Sequence, residues 1–195
     1  MTLEDPIESV HAPAQGLVHQ REIGSHCASF AQGLRSALRA DPDVILLGEM
    51  RDAESIRLAL TAAETGHLVL TSLHSASAVQ AIDRIVDVFS GDEKTWVRSM
   101  LAEVVQAILG QTLCQRANGA GRVAAYEILV ATPAVRHLVR EGKLAQISSH
   151  MQTGSSSGMV TRAQSLQSLV ERGLITPQEM QRYLPTALAS ATATT

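Results

Sequence analysis

The sequence has few aromatic residues, few cysteines and no long apolar run. Aromatic residues make up 3% of the 195-residue chain, so a core must be built from aliphatic side chains. The two cysteines, Cys27 and Cys114, belong to no C-x-x-C pair, which leaves a disulfide framework and a zinc knuckle without support. No apolar run approaches the length of a membrane span, and the first residues do not form a signal peptide. We therefore expect a cytoplasmic protein with peripheral membrane association only.

Lysine is almost absent as well. Lys94 and Lys143 are the only lysines among sixteen basic residues, and the net charge is -3. The sequence has no basic run and no basic stripe interleaved with aromatics, so nothing in it indicates a nucleic-acid groove. The arginine bias favours bidentate contacts to carboxylate or phosphate, although a GC-rich genome would produce the same bias.

Helix and strand patterns alternate along the first two-thirds of the chain. Short continuous apolar runs at residues 44–47 and 68–70 are typical of buried parallel strands, and residues 122–130 are also strand-like. A helix is predicted over residues 29–39, and another begins after Asp52, which can cap it. Strands separated by helices predict an α/β fold with a parallel sheet covered by helices.

Further helix starts divide the rest of the chain. Three residue pairs have the spacing of a capping box: Ser77 with Gln80, Ser90 with Glu93, and Thr176 with Glu179. The helix after Ser90 is predicted to extend to Ile108, Thr132-Pro133 starts another helix, and residues 152–158 form a flexible loop. We therefore predict three regions: a partial α/β core over residues 1–131, a helical region over 132–184 and a disordered tail over 185–195.

Three carboxylates lie close together near the start of the chain, at Glu4, Asp5 and Glu8. They follow an apolar start and fit the carboxyl end of a strand, where α/β sheets place active sites. A carboxylate at that place can orient a water for attack on a phosphoryl group. An acidic surface turn imposed by Pro6 explains the same residues, and short acidic motifs often match by chance.

A second pattern is the apolar run at residues 44–47, which is followed directly by Gly48 and Glu49. In a Walker B motif such a strand holds a carboxylate beside the Mg²⁺ of a bound nucleotide, directly or through water. Glu49 would carry this role, and Gly48 would allow close backbone approach. An ordinary strand followed by a helix N-terminus, where acids are also favourable, is the alternative.

Two histidines, His67 and His74, bracket the apolar run at residues 68–70. A histidine at the carboxyl end of a strand can sense a γ-phosphate and transmit its presence. A shared metal ion is disfavoured, because the strand between the two histidines spans roughly 20 Å. A hydrogen-bonded structural role is the alternative for each of them.

The order and spacing of these three segments resemble the Asp box, Walker B motif and His box of the type II/IV secretion ATPase superfamily. Residues 16–22, 34–43 and 56–67 also resemble segments of that family, and the similarity covers about residues 2–183. The resemblance implies an incomplete RecA-like P-loop NTPase core followed by a small helical region. It also implies ATP and Mg²⁺ as cofactors of the complete motor.

The resemblance assigns roles to individual residues. Glu8 would orient the attacking water, and Glu49 would assist Mg²⁺, directly or through water. His67 and His74 would couple the nucleotide state to neighbouring segments.

Within the superfamily the PilT-type pilus-retraction ATPases fit best. Pilus-extension and type II secretion ATPases, the related alternative, usually insert a four-cysteine zinc module after the His box, and this chain has none. The run Ala134-Val135-Arg136-His137-Leu138-Val139 stands where retraction motors carry Ala-Ile-Arg-Asn-Leu-Ile. His137 is the non-conservative change in this run. An ordinary capped surface helix is the alternative reading of the same residues.

The 195 residues contain no P-loop. The pattern G-x-x-x-x-G-K-S/T lets backbone N–H groups cradle phosphates, and the one Gly-Lys pair, Gly142-Lys143, is followed by leucine. In the family this loop lies just upstream of the Asp box, so we expect a core without its first strand and without the helix after the loop. Two functions stay open: part of an ATP-hydrolysing retraction motor, or a non-catalytic remnant or assembly module.

The resemblance also implies partners. The complete motor would be a homo-hexamer that contacts a pilus platform protein at the inner membrane. Arg35 and Arg39 would face the nucleotide or a neighbouring subunit.

Overall fold

The computed structural model describes residues 1–184, and the predicted tail at 185–195 lies outside the described residues. The strands are β1 (Thr2–Glu4), β2 (Gln20–Glu22), β3 (Val44–Leu47), β4 (Leu68–Thr71), β5 (Ala107–Gln115) and β6 (Arg122–Val130). The helices are α1 (Phe30–Ala37), α2 (Ala53–Glu64), α3 (Ala78–Asp87), α4 (Glu93–Val104), α5 (Pro133–Arg140), α6 (Ala145–Thr153), α7 (Arg162–Glu171) and α8 (Pro177–Gln181). Among the described residues no helix is both long and apolar enough to cross a membrane.

The chain forms two compact units, and the first contains Met1–Ser75, Ala81–Val105 and Val139–Gly142. Its sheet is parallel and four-stranded in the order β2-β1-β3-β4, which confirms the predicted α/β fold with a parallel sheet. Leu3, Ile45 and Leu47 are fully buried on one face of the sheet, in a cluster with apolar residues of α1 and α2. This packing holds the ends of β1 and β3 side by side.

The opposite face of the same sheet is apolar and open. Val44 is paired with Leu68, and Leu46 with Leu70, so all four side chains lie on one face. The side chains of Leu68 and Leu70 are 49% and 45% exposed. The prediction of a strand at 68–70 is confirmed, but the prediction that it is buried is wrong, because β4 is an edge strand whose outer face no described element covers.

Arg57 links α2 to the segment that carries α4. Its guanidinium lies 5.6 Å from the ring centre of Phe89 and 5.5 Å from that of Trp96. It also forms an ion pair with Glu93 at 2.8 Å. These cation–π contacts and the ion pair connect α2 with the start of α4.

The second unit contains Ala76–Gln80, Gln106–Leu138 and the chain from Lys143 onward. The antiparallel hairpin β5–β6 forms its own sheet. Leu166 and Leu169 of α7 and Met180 of α8 pack with Cys114 and Ala125 of the hairpin. Burial raises the pKa of the Cys114 thiol, and the nearby Glu179 carboxylate adds to this effect. The predicted boundary at residue 131 stays a prediction.

The start of α4 and the hairpin differ from the sequence expectation. The predicted Ser90–Glu93 box is wrong: α4 begins at Glu93 after Asp92, and no side chain caps it. Ile108 is not helical, because α4 ends at Val104 and β5 follows. Strand β5 has an irregular alternation of apolar and polar side chains, which is a weak strand signal.

Residues 152–158, predicted as a flexible loop, mostly form regular secondary structure instead. Helix α6 continues to Thr153, and Gly154–Ser157 forms a 3₁₀ turn. The side chain of Met159 fills the space where a Cβ on Gly154 would lie. The prediction of a flexible loop is therefore wrong, because glycine here permits close packing against Met159.

Two of the predicted capping boxes are half formed. The hydroxyls of Ser77 and Thr176 accept hydrogen bonds from the backbone N–H groups three residues later. The side chain of Gln80 accepts from the N–H of Ala76 instead of Ser77. The carboxylate of Glu179 accepts from the N–H of Gln115, at 2.7 Å, so it ties α8 to the outer edge of β5.

This buried carboxylate predicts a pH-dependent stability. The hydrogen bond from the Gln115 N–H, opposed by burial and assisted by Arg182, holds the pKa of Glu179 below its ordinary value. The ionised form is therefore favoured by folding, so its stabilisation is present at neutral pH and is lost as the pH falls through the folded-state pKa. We expect Glu179→Gln to lower the free energy of unfolding at pH 7, and the deficit to shrink below about pH 4.

Urea unfolding of both proteins at the two pH values measures this difference. The exposed Glu171 of α7 provides a matched control, because Glu171→Gln removes the same charge. An equal deficit for Glu179→Gln at neutral and acid pH would show that the ionised carboxylate does not stabilise the unit.

Candidate functional site

The carboxyl ends of β1, β3 and β4 meet at one edge of the four-stranded sheet, since the three strands are parallel and adjacent. The N–H of Gly48 donates to the carbonyl of Leu3 at 2.8 Å. A Cβ on Gly48 would lie 3.4 Å from that carbonyl oxygen and 3.5 Å from the Cα of Glu4. The hydroxyl of Ser72 donates to the carbonyl of Gly48. These are ordinary van der Waals distances, so the backbone around Gly48 does not require glycine, and the predicted close approach is not found here.

Glu49 follows β3 directly, and its side chain is 13% exposed. Its Oε1 forms an ion pair with the guanidinium of Arg51. Its Oε2 lies 3.6 Å from Nε2 of His74. The structure thus brings together Glu49 and His74, which the sequence placed in separate motifs.

His74 is fixed through its backbone. The guanidinium of Arg84, on α3, donates to the carbonyl of His74 at 2.6 Å. The His74 side chain itself is 80% exposed, so its ring can contact Glu49 while it remains open to a ligand. Arg84 thereby connects the segment after β4 to α3.

The acidic segment after β1 is arranged around Glu4 and Glu22. Burial acts to raise the pKa of Glu4, but hydrogen bonds from Thr2 and Gln20 outweigh it and keep the pKa below its ordinary value. The N–H of Ile7 donates to Glu22 at 3.1 Å, and this bond lowers the pKa of Glu22. Both carboxylates are therefore held ionised as acceptors that shape the segment.

Glu8 is exposed, and its side chain forms no hydrogen bond or ion pair within residues 1–184. The structure does not bring it into contact with Glu49. Its role in orienting a water stays a prediction.

The remaining predicted residues lie apart from Glu49. His67 is at the opposite end of β4, where its Nδ1 lies 3.0 Å from the carbonyl of Ala62 and 3.3 Å from the hydroxyl of Thr65. Arg35 is exposed and paired with Glu54, and Arg39 is exposed. For these three residues the structure provides no contact with the Glu49 carboxylate, and their sensing or interface roles stay predictions.

The run at 134–139 forms most of α5, as the Thr132-Pro133 start predicts. Val135 and Val139 are buried, and Arg136 donates to the carbonyl of Ala131 at 3.0 Å. His137 is exposed and lines an open cavity of about 480 Å³. The other residues that line it are Ala134, Leu138, Gln146, Ser149, His150 and Thr153.

Sequence reasoning did not identify Arg51 or Arg84 as parts of this arrangement. Arg51 lies two positions after Glu49, so its proximity could have been inferred. Arg84 is ten residues from His74, and no spacing rule connects an exposed helical arginine with a backbone carbonyl in the preceding loop.

The chain matches a known protein family over most of its length. The model of the family "Type II/IV secretion system protein" matches residues 1–182. A twitching motility protein of Neisseria gonorrhoeae is 58% identical over 182 residues, which cover 93% of this chain and 49% of that protein. The type IV pilus retraction ATPase PilT of Pseudomonas aeruginosa is 57% identical over 175 residues, which cover 90% and 51% of the two chains.

A solved structure of the pilus retraction motor PilT with bound ADP has the same fold. This is the RecA-like fold that the sequence resemblance implied. The two structures superpose with a TM-score of 0.86 at 46% sequence identity, and the match covers 94% of this chain and 52% of the PilT chain. This chain spans about half the length of the relatives it matches. The chain belongs to the type II/IV secretion system protein family, and within that family it is similar to the PilT-type retraction ATPases.

Proposed function

We propose that this chain forms part of a hexameric motor that couples ATP hydrolysis to type IV pilus retraction. The observation that carries the proposal is the Glu49–His74 contact at the carboxyl ends of parallel strands. A carboxylate next to a histidine at this edge is suited to link a nucleotide's metal ion to the segment that follows β4. The similarity to retraction ATPases over most of this chain supports the same assignment.

Glu49 is the residue that would hold Mg²⁺, directly or through water. Its carboxylate already attracts a cationic group, Arg51, so its surroundings fit a positive charge. Within residues 1–184 no group of three or more His, Cys, Asp or Glu residues could hold an ion alone. The ion would therefore share its coordination with water and nucleotide phosphates, as Mg²⁺ usually does, and would neutralise phosphate charge during hydrolysis.

The phosphate cradle is proposed to come from the part of the relatives' length that this chain does not match. The exposed apolar face of β3 and β4 supports this proposal, since parallel sheets are normally covered on both faces. An added strand and helix would cover it. Glu8 would then orient the attacking water, while Arg35 and Arg39 would face nucleotide or a neighbouring subunit.

His67, at the other end of β4, would couple the nucleotide state to the segment after α2. The run at 134–139 would serve retraction. We also propose that the complete motor is cytoplasmic and associates peripherally with a platform protein at the inner membrane.

A non-catalytic assembly module is the second candidate. The absence of a P-loop from these 195 residues favours it, because phosphate binding then depends on another segment. A related secretion or extension ATPase is less favoured, since the sequence carries no four-cysteine module.

Binding of a fluorescent ATP analogue with Mg²⁺ tests the proposal. It compares the 195-residue chain with a hybrid protein in which residues 1–184 replace the matching region of the gonococcal relative. We expect saturable binding by the hybrid and none by the chain alone. Failure of the hybrid to bind, although it folds, would favour the assembly module, and saturable binding by the chain alone would show that the phosphate site lies within these residues.

A further inference from the structure

Both oxygens of the Glu49 carboxylate have a partner. Arg51 pairs with Oε1, while His74 approaches Oε2 at 3.6 Å. Arg51 is the charged partner in direct contact with this carboxylate, at Oε1. A divalent cation that binds Glu49 at this oxygen must therefore compete with Arg51.

The two partners differ in how firmly they are held. The segment of His74 is fixed by the hydrogen bond from Arg84. The side chain of Arg51 is 71% exposed, and within the described residues its guanidinium contacts no acid other than Glu49. An ion pair with one highly exposed partner is weak, so Arg51 can leave Glu49 at small cost while the His74 segment stays in place.

We propose that Arg51 is a displaceable counter-ion of Glu49, which holds the carboxylate until a divalent cation takes its place. The inference rests on the proposed function, in which that cation is the Mg²⁺ of a bound nucleotide. Arg51 acts through Glu49 and is a positioning residue.

The physical reason is competition between two positive charges for one carboxylate. One guanidinium nitrogen contacts Oε1, and its charge repels an incoming ion at contact distance. Removing it makes the carboxylate available without altering the strand that holds Glu49. Lysine at the same position keeps the charge but loses the planar fork that matches a carboxylate.

The test measures the binding of Mn²⁺, a spectroscopic stand-in for Mg²⁺, to the hybrid protein in the presence of a non-hydrolysable ATP analogue, by electron paramagnetic resonance. We expect the Arg51→Ala hybrid to bind Mn²⁺ about fivefold more tightly than the unchanged hybrid, with Arg51→Lys between the two. Arg172→Ala removes an exposed arginine of the second unit and should leave the affinity unchanged. Equal or weaker binding by Arg51→Ala, including no detectable binding by any variant, would overturn the proposal.

The double variant Arg51→Ala/Glu49→Gln separates this proposal from the proposed function. If the gain in Mn²⁺ affinity disappears in the double variant, the ion binds Glu49 and Arg51 competes for that residue. If the gain persists, Arg51 opposes an ion bound elsewhere, and both the counter-ion role and the metal role of Glu49 are wrong. Nucleotide binding by the hybrid is measured independently, so its failure would contradict the motor assignment alone.

Discussion

The Glu49→Gln variant of the hybrid protein is expected to hydrolyse ATP about a hundredfold more slowly than the unchanged hybrid, or slower still. Glutamine has nearly the shape of glutamate, so the backbone hydrogen bond between Gly48 and Leu3 is kept. The change removes the negative charge that contacts Arg51 and His74 and that would assist Mg²⁺. Steady-state hydrolysis with saturating Mg²⁺ and ATP measures the loss.

A matched control is available on α2 in the same unit. Glu64 is exposed at the end of this helix, and Glu64→Gln removes the same charge away from the sheet edge. We expect the control to hydrolyse ATP at the rate of the unchanged hybrid. Hydrolysis by Glu49→Gln at the control's rate, in a protein with an unchanged thermal transition, would exclude Glu49 from catalysis.

Replacing Leu68 and Leu70 by lysine is expected to have opposite effects in the isolated chain and in the hybrid. In the isolated chain these side chains form an open apolar face beside an unpaired strand edge, which promotes self-association. Charged side chains on that face should keep the chain monomeric. In the hybrid the same face would be covered, so two buried lysines should prevent folding or assembly.

Sedimentation over a concentration series measures both effects. Val10 and Leu17 are still more exposed, at 87% and 86%, but they lie outside the sheet. Val10→Lys/Leu17→Lys therefore makes the same chemical change as a control, and we expect it to alter neither protein. An isolated chain that stays monomeric at every concentration without substitution, with a cooperative thermal transition, would contradict the self-association expected from the open face.

Local signals in the sequence were sufficient to predict much of the secondary structure of the first unit. The continuous apolar run of β3 and the cap of α2 are formed by neighbouring residues, and Asp52 accepts from the N–H of Ser55 as expected. The position of Glu49 at the end of a strand follows from the same short segment. Patterns of this kind predict an element reliably because the causes lie within a few residues of each other.

Features that depend on distant residues were not predictable. The exposure of Leu68 and Leu70 depends on the strand order, which places β4 at the edge. The Glu179 carboxylate accepts from the N–H of Gln115 in β5 and not from the start of its own helix, and this depends on where β5 lies. The contact of Arg84 with the His74 carbonyl likewise depends on where α3 lies.

Twitching motility in Neisseria gonorrhoeae cells that lack their own twitching motility protein tests the retraction assignment most directly. The hybrid would be expressed in these cells, and pilus retraction would be followed by cell movement on a surface, with hydrolysis measured on the same protein. We expect the hybrid to restore movement and its Glu49→Gln variant to abolish it. A hybrid that hydrolyses ATP at a normal rate but restores no movement would contradict a role in retraction.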